Sequence, residues 1–124
     1  MRIGTDIVEI GRVKTAVDRT GKAFLERVFT PLEIEYCQGT TRRKYESYAA
    51  RFAAKEAYSK AIGTGIGENA HLNEIEIENL ESGKPVIRLR GETLEYFRKT
   101  FGDATIDVSL AHTSKLATAT VIIG

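Results

Sequence analysis
The chain has 124 residues, 42% of them apolar and 28% charged, with a formal net charge of +1. Those values fit one ordinary globular domain spanning 1–124, and they argue against a strongly basic nucleic-acid binder. No apolar run approaches the length of a membrane span. Asp6 comes too early for a signal peptide, and the single cysteine, Cys37, excludes an internal disulfide and fits a reducing cytoplasm.

Met1 to Ile10 reads as a strand carried by Ile3, Ile7, Val8 and Ile10, with Asp6 set inside it. Asp is depleted in strands, so Asp6 is either a turn or capping residue or a ligand. Gly11 to Thr20 reads as a helix with Val13, Ala16 and Val17 inward, and Lys22 to Phe29 as a further turn or two. Bases crowd this region: Arg12, Lys14, Arg19, Lys22 and Arg27 stand against Asp18 and Glu26. Such a patch suits an acidic partner or phosphates, or is a solvated helix face. Thr30-Pro31-Leu32-Glu33 has the residues of a capping box with Pro at the first helical position, and the helix runs to about Gln38. Gly39-Thr40-Thr41 reads as a loop.

From Arg42 a long helix runs to Gly63 and Gly65, which end it. Alanines at 49, 50, 53, 54, 57 and 61, with Tyr48, Phe52, Tyr58 and Ile62, leave it no ordinary polar face. A helix apolar nearly all round is usually buried, and buried charges need partners. Its four charges are therefore site candidates. They form two pairs one turn apart, Arg51 with Lys55 and Glu56 with Lys60. Glu56 and Lys60 also have the orientation of a simple surface pair.

The glycine-rich segment Ile66 to His71 is a loop in which His71 is expected to be exposed. Asn73 to Glu78 alternates as a strand with Ile75 and Ile77 buried and the glutamates in water. Asn79 to Pro85 turns, Val86 to Arg90 returns, and Glu92 to Phe101 is a short helix. Thr105 to Thr113 is a strand with His112 near its end, and Leu116 to Ile123 is the closing strand.

Asp6, Arg51, Lys55, Glu56, Lys60 and His112 fit least easily into regular structure. No set of Cys and His exists to hold zinc. Two carboxylates without soft ligands suit Mg²⁺, with neighbouring cations holding phosphate oxygens. The residues thus point to chemistry at a phosphate or pyrophosphate. Two other readings stay open: a different magnesium-dependent phosphate-ester enzyme, or a non-enzymatic binding module for acidic partners.

The stretches Gly4-Thr5-Asp6-Ile7-Val8-Glu9-Ile10-Gly11-Arg12, Phe29-Thr30-Pro31-Leu32-Glu33 and Arg51-Phe52-Ala53-Ala54-Lys55-Glu56-Ala57 are distinctive together. So are Lys60-Ala61, Gly63-Thr64-Gly65, Gly83-Lys84-Pro85 and Val108-Ser109-Leu110-Ala111-His112-Thr113. In order and spacing the sequence resembles holo-acyl carrier protein synthases of the AcpS type. That resemblance implies transfer of the 4′-phosphopantetheine arm of coenzyme A to a serine of apo-acyl carrier protein, releasing 3′,5′-ADP and serving fatty acid biosynthesis. It implies Asp6 and Glu56 as magnesium ligands, and Lys60 at the pyrophosphate. Arg51, Gly63, Lys84, Pro85, His112 and Thr113 would line the coenzyme A site, and Glu33 would activate the serine through water. Arg12, Lys14 and Arg19 would dock the carrier. Ala111 stands where the family often has a hydroxyl residue. The implied fold is α+β, an antiparallel sheet packed on a long central helix, assembled as a homotrimer with active sites between subunits.

Overall fold
The computed structural model describes residues 1–40 and 42–124, so Thr41, expected in a loop, lies outside the described residues. The chain begins with β1 (Arg2–Glu9), α1 (Ile10–Thr20), α2 (Lys22–Val28), α3 (Pro31–Gly39) and α4 (Lys44–Ile62). After a 3₁₀ turn at Leu72–Glu74 come β2 (Ile75–Asn79), β3 (Pro85–Leu89), α5 (Gly91–Phe101), β4 (Ile106–His112) and β5 (Leu116–Ile123). This is an α+β architecture with a long helix at its centre, as expected. The strands form not one sheet but two: an antiparallel β1-β5-β4 sheet and a separate β2-β3 hairpin.

Helix α4 is buried because its surface is small and apolar. Ala53, Ala54, Ala57, Tyr58, Ala61 and Ile62 pack against Ile75, Ile77, Phe97, Val108 and Val121. A second cluster gathers Ile10, Val13, Val17, Val28, Phe29, Cys37, Tyr48 and Ala49. Cys37 is wholly buried, and that burial pushes its thiol up to about 12. The helix ends at Gly63, in the left-handed conformation at φ 89°.

Strand alternation puts Gly4, Asp6 and Val8 on one face of β1, opposite Val121, Ala119 and Ala117 of β5. Gly4 sits directly on α4. A Cβ at that position would overlap the Ala57 carbonyl and come within 2.5 Å of the Ala61 nitrogen. Glycine here is a requirement of close approach, since backbone on the far side cannot swing away.

The other tie is electrostatic. Lys55 is fully buried and donates to Glu33 Oε1 at 2.7 Å, to the Leu72 carbonyl at 2.9 Å and to the Ile75 carbonyl at 2.5 Å. Glu33 Oε1 also accepts from the Thr30 amide at 2.9 Å, and Oε2 from the Ile77 amide at 2.9 Å. The expected capping box of α3 is present. Burial pulls the Lys55 ammonium below its ordinary value, and the Glu33 carboxylate opposes that. Nearby Glu76 is not in water as expected from its strand pattern. It is buried, accepts from Thr30 Oγ1 and Arg90 at 2.6 Å each, and is held below the usual carboxylate range by those donors although burial pushes the other way. His71 is likewise only partly exposed, its amide donating to Thr93 Oγ1.

Two outcomes test these ties. Gly4→Ala should lose at least the ordinary overpacking cost of about 1–3 kcal/mol, read as a thermal midpoint lower by roughly 5–15 °C. Lys55→Met leaves Glu33 buried without its cation and should cost about 3–5 kcal/mol in denaturant unfolding. Adding Glu33→Leu should not restore wild-type stability, because the Thr30 and Ile77 amides then lose their acceptor.

Candidate active site
Asp6 is held in mid-strand, on the face of β1 that meets α4, where the small side chain of Ala119 stands across the ladder. Lys60, from the last turn of α4, reaches it: Nζ donates to Asp6 Oδ1 at 2.8 Å and to the Thr5 carbonyl at 3.2 Å. The Asp6 bond and charge hold the Lys60 ammonium above its ordinary value. The expected Glu56–Lys60 pair is replaced by this one, and no ion pair within 4.0 Å joins Glu56 to Lys60 among the described residues. One turn before Lys60, Glu56 stays partly exposed, its carboxyl pushed up by burial and then by the negative Asp6.

Asp6 and Glu56 line one cavity of 530 Å³ with Glu9, Arg12, Phe24 and Phe52. It has a polar half of three carboxylates and a guanidinium, and an apolar half. It adjoins a groove of 950 Å³ lined by Arg12, Arg19 and Arg27, with Glu9, Arg12, Ala16 and Phe24 common to both. Two of the three expected docking bases, Arg12 and Arg19, are thus on the groove. Lys14 is not. It pairs with Asp18 at 3.2 Å and lies over the Tyr45 ring, while Tyr45 donates to Asp18 at 2.7 Å. Arg27, visible in the sequence only as one of a crowd of bases, lines the groove in its place.

The remaining expected residues lie elsewhere. Arg51 is buried, stacks 4.2 Å from the Tyr36 ring and donates to Asn79 Oδ1 at 2.6 Å, leaving its Nε without a partner. His112 is exposed at the end of β4, with Nδ1 3.6 Å from Glu46. Arg51 and His112 share a cavity of 250 Å³ that neither Asp6 nor Glu56 lines. His112 also lines an open pocket with Arg42, Arg43 and Thr113. The Thr113 hydroxyl accepts from the Lys115 and Leu116 amides and so shapes the β4–β5 turn. Lys84 is exposed beside Asp107 at 3.5 Å, and Pro85 opens β3 opposite Asn79. The residues form two groups on different flanks of α4, where the sequence reading hoped for one.

Two candidates change character. Lys55 is fully buried and serves the pair with Glu33. Glu33 has both oxygens engaged inside the protein and is 1% exposed, so it offers no oxygen to a water or serine hydroxyl. Its candidate role as serine activator is withdrawn on that geometry.

Comparison with known proteins gives the class. Residues 2–118 match the model of the 4′-phosphopantetheinyl transferase superfamily, and the chain belongs to it. A holo-(acyl-carrier-protein) synthase from Ruminiclostridium cellulolyticum is 52% identical over 123 residues, covering 99% of this chain and 91% of that one. The holo-(acyl-carrier-protein) synthase structure from Neisseria meningitidis superposes with a TM-score of 0.88 at 32% identity, over 99% of this chain and 97% of that one. The Helicobacter pylori enzyme in complex with coenzyme A gives 0.84 at 35% identity, over 98% and 99%. The resemblance drawn from the motifs is thereby matched over nearly the whole chain.

The raised carboxyl of Glu56 carries a prediction. A group with its folded value above the unfolded one binds its proton more tightly when folded, so its ionisation disfavours the folded state above both values. Glu56→Gln should therefore raise the thermal midpoint of the metal-free protein at neutral pH. The gain should shrink as the pH falls through the raised value and vanish below the unfolded one; a lower midpoint for the variant at pH 7 refutes the sign.

Proposed function
We propose that the protein transfers the 4′-phosphopantetheine arm of coenzyme A to a serine of an apo-acyl carrier protein, with Mg²⁺, releasing 3′,5′-ADP. The observation that carries this is the joint position of Asp6 and Glu56 in one cavity that adjoins an arginine groove, with Lys60 bonded to Asp6, in a chain of this superfamily. The coenzyme A complexes of its relatives support the substrate.

The donor set fits magnesium. Asp6 and Glu56 offer hard oxygens on one cavity, and Mg²⁺ takes one or two protein carboxylates while waters and substrate oxygens complete its shell. When bound, Mg²⁺ would neutralise charge on the pyrophosphate and offset the Asp6 repulsion that, after burial, raises Glu56. Lys60, bonded to Asp6 and the Thr5 carbonyl, has one N–H left to hold the phosphate oxygen that gains charge as the ester bond breaks. Arg12, Arg19 and Arg27 present a cationic groove to an acidic carrier, which speeds and orients encounter more than it tightens binding. Arg51, Gly63, Lys84, Pro85, His112 and Thr113 are assigned to the coenzyme A side by motif.

A homotrimer is part of this proposal. Ile3, Ile7 and Ile122 lie 66%, 61% and 38% exposed on the outer face of the three-stranded sheet, as an interface between copies would require. A neighbour could then bring its Arg51 and His112 group to the carboxylate cavity. The chain would work as a single transferase domain, 1–124, in the cytoplasm and in fatty acid biosynthesis. No described helix is long and apolar enough to cross a membrane.

Purified protein with coenzyme A, Mg²⁺ and apo-carrier should add the arm to the carrier, read by intact mass, with 3′,5′-ADP as co-product. No mass gain overturns the proposal. Lys60→Ala should lower kcat about 10²–10³-fold with the fold intact; unchanged turnover refutes its role at the phosphate.

A further inference from the structure
Withdrawing Glu33 leaves the serine proton without an acceptor. The acceptor has to stand where the docked carrier and the phosphate meet, which is the junction of the arginine groove with the carboxylate cavity. Among the described residues four line both spaces: Glu9, Arg12, Ala16 and Phe24. Glu9 is the only acid of the four. It is the last residue of β1 and the N-cap of α1, yet its side chain makes no capping bond. Glutamate is not a favoured N-cap residue, so capping does not explain it. It is exposed, and its carboxylate has no hydrogen-bond or ion-pair partner among the described residues. The other acids of the cavity are committed: Asp6 is bonded to Lys60, and Glu56 is assigned with it to the metal.

We propose that Glu9 is the general base of the transfer. This deepens the proposed function and rests on it. In the step, the serine O–H bond breaks and its proton passes to the Glu9 carboxylate, directly or through one water. The serine oxygen forms a bond to the phosphorus bearing the pantetheine arm. The bond from that phosphorus to the 3′,5′-ADP oxygen breaks, its electron pair leaving with the nucleotide. A carboxylate suffices for a hydroxyl nucleophile in phosphoryl transfer, because kinases use an aspartate in the same role. The charged groups around Glu9 are Asp6 of β1, Arg12 and Arg19 of α1, Arg27 of α2, and Glu56 of α4. Lys115 is in the turn before Leu116, the strand partner of Glu9. The three arginines counter the two acids.

The alternative is structural: an acid at a helix N-terminus interacting with the helix dipole. Steady-state kinetics across pH separate the two. Glu9→Gln should lower kcat about 100-fold or more, leave KM for coenzyme A and the affinity for apo-carrier unchanged, and remove the acid limb that Glu9 gives the kcat/KM profile. Glu9→Asp, which keeps the carboxylate, should retain more kcat than Glu9→Gln and keep the acid limb. Unchanged kcat in an active, folded Glu9→Gln protein overturns the assignment, as does a loss confined to KM for the carrier. Equal losses in Glu9→Asp and Glu9→Gln with an unaltered pH profile overturn it too, which covers the case where position 9 matters only for folding. If the wild-type protein makes no holo-carrier, the proposed function itself fails and the Glu9 assignment falls with it.

Discussion
The close approach of β1 to α4 is the constraint on which the other features depend. It exists because Gly4 meets a helix made largely of alanine, so two backbones come together with no side chain between them. Two residues further along the same strand face, that approach brings the Asp6 carboxylate within 2.8 Å of the Lys60 ammonium. A strand held off by ordinary side chains would lie several ångströms further out, and Asp6 and Glu56 would not line one cavity. The alanines are therefore a requirement of the site as much as of the core. They sacrifice large apolar contacts for a short distance between strand and helix.

The buried Glu33–Lys55 pair does complementary work. A pair fully removed from water is weak evidence of net stability, since desolvation consumes much of the attraction. Its arrangement explains its presence better than its energy does. Through five bonds it joins the start of α3, the middle of α4, the 3₁₀ turn and β2. Lys55 immediately precedes Glu56, so fixing its ammonium fixes the rotation of α4 about its axis. Glu56 is then aimed at the cavity without needing a bond of its own, and it keeps a free carboxylate there.

Much of this was legible in the sequence, for identifiable reasons. Local signals were clear: the capping box at Thr30–Glu33, the left-handed stop at Gly63, and the misfit of Asp6 in a strand. The apolar, alanine-rich helix announced its own burial and the oddity of its charges. The pairings were not legible, because a sequence shows only helical neighbours. Lys60 therefore looked like a partner for Glu56 when Asp6, 54 positions away, is nearer in space. Glu33 became a candidate by resemblance alone, in competition with its capping role, and its second oxygen is taken by Ile77 from a strand 44 positions on. Glu76 read as solvent-facing because alternation reports one sheet face, and here a helix start and an arginine cover the other.

The separation of the two residue groups follows from helix geometry. Residues 51 and 56 are five positions apart, which at about 100° per residue sets their side chains about 140° apart around α4. Arg51 and Glu56 cannot then touch the same few atoms of a ligand within one chain. Either the ligand is long enough to wrap the helix, or each site takes its Arg51 from one chain and its Glu56 from another. The open isoleucine face of β1 and β5 favours the second arrangement. It adjoins the strand that carries Asp6, so whatever covers that face also comes to the edge of the carboxylate cavity. A copy of this chain placed there could bring its own exposed His112 with it. In the proposed assembly, the divergence that splits the site within one chain would be bridged by a second copy.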